Sequence, residues 1–229
     1  MSAYTTRACI DCGELQADVR CKACHEYINK DSAARRRMQG DEAMLAVGVP
    51  ANLASVRLEA PWDNLAWGFD KHGDFLHGLP GRGKSFIAAG LVRIHLKFVS
   101  QRVRPGVEQW WLGHGGTRWV RVEAMLQQIR DLSFTQEASE AEVVGGLGRV
   151  GFLVLDDLGA EKRTEWGGQT LHSLLDQRLA ANARTIITSN YTVEDLEEMY
   201  AGWGGPIASR IRGLCDIREV RGADRRATR

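Results

Sequence analysis

The segment Gly78-Leu79-Pro80-Gly81-Arg82-Gly83-Lys84-Ser85 separates a short apolar run, Phe75-Leu76, from Phe86 to Phe98, which is apolar nearly all round. A glycine-rich loop between a strand and a sheet-packed helix leaves few folds open, because the helix must return across the sheet to bury its apolar surface. The pattern is G-x-x-x-x-G-K-[ST] in its expected setting, after a strand and before a helix. Gly81 and Gly83 let the backbone wrap closely around an anion, which meets successive N–H groups and the positive end of the following helix. Lys84 then faces the β- and γ-phosphates of a triphosphate, and the Ser85 hydroxyl is placed to ligate magnesium. Gly78 to Ser85, with Leu79, Pro80 and Arg82 completing the loop and Phe86 next to it, is the candidate ATP-binding segment.

Downstream, short apolar runs alternate with stretches of helical period, the pattern of βαβ units around a parallel sheet. Strands are expected at Phe75-Leu76, at Trp119, Val120 and Val122, at Phe152 to Leu155, at Thr185 to Thr188 and at Ile217 to Val220. Leu171, Leu174, Leu175 and Leu179 are spaced to form one apolar helix face. The fold class is therefore α/β. The run Phe152 to Leu155 ends in Asp156-Asp157. Ligands of open α/β sheets bind at the carboxyl ends of strands, so both aspartates are candidates for the same site. Asp156 suits the magnesium shell, and Asp157 suits orienting and deprotonating a water.

Composition adds bounds. With 229 residues, the chain has room for one α/β domain and a small appendage. We divide it into a cysteine module at 1–30, a linker at 31–44 and the main domain at 45–229. Apolar residues at 44% and charged residues at 26% suggest neither disorder nor a membrane span, and the net charge of +1 says little about partners. No run has the length of a signal peptide or membrane span, so a cytoplasmic location is expected. In a reducing compartment Cys9-x-x-Cys12 and Cys21-x-x-Cys24 read as metal ligands, and four thiolates suit zinc best. Iron–sulfur binding and free thiols remain alternatives, and His25 could replace one ligand. Cys215 stands apart as a core residue. From Ser100 to Arg118 an insertion carries Trp110-Trp111, which either covers an apolar edge or stacks on bases.

The combination of Gly78 to Ser85, Leu155-Asp156-Asp157-Leu158-Gly159, Thr188-Ser189-Asn190 and Ile207-Ala208-Ser209-Arg210-Ile211 resembles the AAA+ ATPases of the DnaC-type helicase loaders and their IstB-type transposition relatives. The resemblance spans roughly residues 45 to 226. It implies a P-loop AAA+ parallel sheet flanked by helices, without a separate helical lid, and an ATP hydrolase. It further implies that Asn190 is the sensor beside the γ-phosphate. By the same likeness, Arg210 is an arginine finger presented to a neighbouring subunit's nucleotide, which requires a homo-oligomer. Arg226 is similar to an arginine near the family's C-terminus. Where the family often has another arginine four residues ahead of the finger, this chain has Pro206, so any such role is absent or shifted to Arg212. The segment Val122 to Glu140 corresponds to a helix associated with oligomer packing and single-stranded DNA. Gln127, Gln128 and Arg130 are compatible with that role, but their composition alone reads as a solvated helix face. Some loaders carry an N-terminal zinc module that grips the helicase. The implied partners are a replicative helicase and DNA, single-stranded by preference. A transposition helper assembling on DNA and a nucleotide-switched adaptor with little turnover are the alternatives.

Overall fold

The computed structural model describes residues 7–8, 15–16, 40–58, 73–98 and 116–224. The candidate zinc ligands Cys9, Cys12, Cys21 and Cys24, together with His25, Trp110, Trp111 and Arg226, lie outside the described residues. Near the N-terminus two short strands, β1 (Arg7–Ala8) and β2 (Leu15–Gln16), pair antiparallel.

Five parallel strands form the main sheet: β3 (Gly73–His77), β4 (Thr117–Arg121), β5 (Phe152–Leu158), β6 (Arg184–Ser189) and β7 (Cys215–Glu219), in the order β4-β5-β6-β3-β7. Helices α1 (Gly40–Ala46) and α2 (Lys84–Phe98) pack on one face. On the other face lie α3 (Val122–Thr135), α4 (Glu140–Gly148), α5 (Glu165–Ala180), α6 (Val193–Met199) and α7 (Gly204–Leu214). Alternation along the strands builds both cores. Leu76, Phe152, Val154 and Ile186 point to the α1–α2 side, whereas Phe75, Leu153, Leu155 and Ile187 point to the other. That period of two, with both faces covered, is why these strands read as continuous apolar runs.

Three sequence expectations need correction. Val122 is not in β4: it is buried at the start of α3, because Arg121 ends the strand and the helical period begins at once. The fifth strand is Cys215–Glu219 and not Ile217–Val220, and Ile217 is 45% exposed because β7 is an edge strand. On α5 the buried stripe is Leu171, Leu174, Leu175 and Arg178, while Leu179 is exposed. At about 100° per residue, position 178 lies roughly 20° from Leu171 and position 179 about 80° away, at the rim of the stripe. Geometry places an arginine where hydropathy places a leucine.

Packing of the main domain reaches back to Met44, fully buried in the α1–α2 core. The segment after α1 crosses the sheet edge, where the Trp119 N–H donates to the Val47 carbonyl at 2.8 Å. Cys215 is buried in the other core, as expected. Among the described residues no helix is long and apolar enough to cross a membrane.

Candidate functional site

The loop after β3 turns at Gly78, Gly81 and Gly83, whose φ angles are 136°, 79° and 92°. These left-handed values are open to glycine and costly for other residues. A β-carbon at Gly78 would run into the Val220 carbonyl, and one at Gly81 into the Asp224 carboxylate. The chain after β7 thus lies along the loop and places a carboxylate against it.

Lys84 opens α2, and its side chain folds back into the loop. Nζ donates to the carbonyls of Gly78 at 2.6 Å and Leu79 at 3.0 Å, and to Asn190 Oδ1 at 2.8 Å. Ser85 Oγ donates to Asp156 Oδ1 at 2.8 Å. β3 and β5 therefore deliver lysine, hydroxyl and carboxylate to one point, with β6 between them supplying Asn190. Phe86 is partly buried against the α1–α2 core, and Leu79 is 63% exposed at the loop's tip.

The two aspartates differ in environment. Asp156 is buried, and Thr188 Oγ1 also donates to its Oδ1 at 2.7 Å. Burial pushes its carboxyl above the usual carboxylate range, against the opposing pull of the Thr188 and Ser85 hydrogen bonds. A carboxylate kept from water beside a hydroxyl suits a cation that would restore what burial removes. Asp157 is half-exposed, with its Oδ1 accepting from Asn190 Nδ2 at 3.3 Å and its Oδ2 from Arg121 Nη2 at 3.3 Å. The donor set fits a triphosphate with one hard divalent ion: backbone loop and Lys84 for the phosphates, Ser85 and Asp156 for the metal.

Solved structures of other proteins share this fold. DnaI is 26% identical with a TM-score of 0.51, over 67% of this chain and 72% of that one. A candidate primosome component from Streptococcus pyogenes serotype M3 is 21% identical with a TM-score of 0.57, over 80% and 98%. The DnaC helicase loader is 17% identical with a TM-score of 0.50, over 88% and 92%. The fold is AAA+. No protein-family model and no curated sequence matches the chain.

Within this AAA+ fold Arg210 stands apart from the loop. On α7 it bonds Asp176 of α5 at 2.9 Å, through both Nε and Nη2. Arg212 pairs with Glu194 and Glu197 of α6 at 3.0 and 3.3 Å. On α3, Gln127 bonds Asp131 at 2.7 Å, and the Arg130 guanidinium lies 4.9 Å from the Trp166 ring centroid. A cavity of about 470 Å³ opens at the β4 edge, between Val47, Trp119 and Gln128. Of the residues that bond within the loop site it touches Arg121.

Sequence reasoning gave Thr188 no individual role. Its Oγ1 accepts the Asp157 N–H at 2.9 Å while donating to Asp156, so one hydroxyl fixes both aspartates. The available signal was a threonine at the polar end of an apolar strand beside Asn190. Arg121 and Asp224 carried no such signal, since each reaches the site from a distant part of the chain.

Proposed function

We propose that this chain binds and hydrolyses ATP and acts in DNA replication by loading or remodelling a replicative helicase. The observation that carries the ATP reading is the convergence of Lys84, Ser85, Asp156, Asp157, Thr188 and Asn190 behind a left-handed glycine loop. The likeness to DnaI and to the DnaC helicase loader supports the helicase reading.

In this reading the triphosphate takes the loop N–H groups, and Lys84 exchanges the Gly78 and Leu79 carbonyls for β- and γ-phosphate oxygens. Ser85 and Asp156 hold magnesium, which when bound offsets the charge of those oxygens. Asp157 orients a water for in-line attack at the γ-phosphorus and takes its proton, and the Asn190 amide fixes the water's position. Arg210 then serves a neighbouring subunit: its planar guanidinium leaves Asp176 and donates to the γ-phosphate next door. Its place on the outer side of α7, bonded to α5, is compatible with a head-to-tail assembly. Arg226 contributes from the C-terminal tail.

The four N-terminal cysteines bind one zinc, forming a module that engages the helicase. The spacing of Cys9-x-x-Cys12 and Cys21-x-x-Cys24 supports this reading. Elemental analysis should give about one zinc per chain, lowered in Cys9→Ser.

Phosphate release measured with single-stranded DNA, duplex DNA and a purified replicative helicase tests the function. Stimulation by helicase together with single-stranded DNA is expected. Stimulation by duplex DNA and a transposase would move the client to transposition, and ATP binding without turnover under every condition would make the chain an adaptor. Mixing Arg210→Ala with Lys84→Ala, each inactive alone, should recover activity if the arginine acts between subunits.

A further inference from the structure

Asp157 has a φ of 66°, in the left-handed region, and lies where the β5–β6 register shifts between Leu155 and Leu158. Gly159 follows at 91°. A backbone held in such conformations persists only when its surroundings over-determine it. Upstream, Thr188 supplies the constraint by accepting the Asp157 N–H. Downstream the constraint comes from Glu161. Its Oε2 accepts the Gly159 N–H at 2.9 Å, and its Oε1 accepts the Tyr200 hydroxyl. The Ala160 N–H closes the turn onto the Asp157 carbonyl at 3.2 Å.

Glu161 and Tyr200 are 5% and 3% exposed. Burial pushes the Glu161 carboxyl above its usual range, while the hydrogen bond from Gly159 opposes the rise. An apolar side chain of similar volume would fill this space without that desolvation, so packing alone does not account for a carboxylate here. Tyr200 also accepts the backbone N–H groups of Trp203 and Gly204 at its carbonyl, where α6 passes into α7.

We propose that Glu161 is a positioning residue for hydrolysis: through Gly159 it fixes the turn that carries Asp157, and through Tyr200 it ties that turn to the α6–α7 junction. This rests on Asp157 being the group that activates water. Glu161 touches no substrate, and its effect passes through the direction of the Asp157 carboxylate.

The test is steady-state ATP hydrolysis and nucleotide binding by the full chain, comparing Glu161→Ala, Glu161→Gln and Tyr200→Phe, with Asp157→Asn as reference. Glu161→Ala should lower kcat by about 10- to 100-fold, since small misplacements of a catalytic group cost that much. KM and nucleotide affinity should stay within about threefold. Glu161→Gln keeps an acceptor for Gly159 and a donor for the Tyr200 oxygen, so it should recover most of kcat. Tyr200→Phe should fall between. If Glu161→Ala does not fold, the other two carry the test: Tyr200→Phe lowered in kcat with KM kept, and Glu161→Gln near the parent. A lower melting temperature with unchanged kcat per folded molecule in Glu161→Ala, or an unchanged kcat in Tyr200→Phe, overturns the proposal. If Asp157→Asn abolishes turnover while the Glu161 variants do not alter it, this inference alone falls. If Asp157→Asn hydrolyses normally, the assignment of Asp157 falls first.

Discussion

Lys84 and Arg178 are both buried cations on helices packed against the sheet, yet they are held in opposite ways. Arg178 is fully buried and donates to the carbonyls of Leu147, Val150 and Arg184 and to Thr185 Oγ1. It ties the end of α4 and the approach to β5 onto β6, with carbonyls at the negative end of a helix offsetting its charge. Burial draws its pKa down to about 9, which still leaves it charged at neutral pH. Lys84 instead borrows two carbonyls of a glycine loop and one amide, all beside the carboxyl ends of the strands. The contrast separates a cation built into the fold from one that, in the proposed reading, changes partners. A rigid guanidinium fork suits the first task and a flexible ammonium the second.

Exchanging the roles experimentally gives the sharpest contrast. Lys84→Ala should weaken ATP binding by about 10²- to 10⁴-fold, the worth of two charge-assisted contacts, while leaving the melting temperature nearly unchanged. Isothermal titration and a thermal melt of the same sample check both halves. Asp157→Asn should slow hydrolysis by about 10²- to 10⁴-fold with ATP still bound, because an amide holds a water without taking its proton. Arg178→Met should do the reverse of Lys84→Ala. Leaving several buried carbonyls unsatisfied should cost at least about 3 kcal/mol, or roughly 6–12 °C in Tm for a domain of this size, with nucleotide affinity retained by the folded fraction.

A smaller effect concerns Asp156. Its folded pKa lies above the unfolded value, so between the two the native state binds more protons and stability falls as pH rises. Asp156→Asn should remove that penalty, raising the apo-protein Tm at neutral pH by a few degrees and flattening its decline with pH. The same variant should lose magnesium-dependent tightening of ATP binding. A lowered Tm would show that the carboxylate stabilises the empty site.

The sequence made the local parts of this site legible and left the distant ones hidden. Gly78 to Ser85 could be read because its chemistry is contiguous, and Asp156-Asp157 because an apolar run ends on charge. Thr188 was visible only as part of a motif. Its bridging role depends on β6 lying beside β5, which no local pattern specifies. Arg178 was missed because period and hydropathy disagreed and the leucine at 179 suggested a continued apolar face. Five strand positions were recovered, with shifts at Val122 and Ile217, where edge exposure and a helix start blur the apolar signal. Their order was not, since crossovers depend on packing between distant segments.

Whether this loop and these aspartates hydrolyse ATP, as proposed, is decided by phosphate release from magnesium-ATP. The assay compares the full chain with Asp157→Asn at equal nucleotide saturation, with single-stranded DNA and a replicative helicase present. Steady release by the parent protein and a loss of about 10²-fold or more in the variant are expected. Equal rates from the two proteins would rule out Asp157 as the group that activates water.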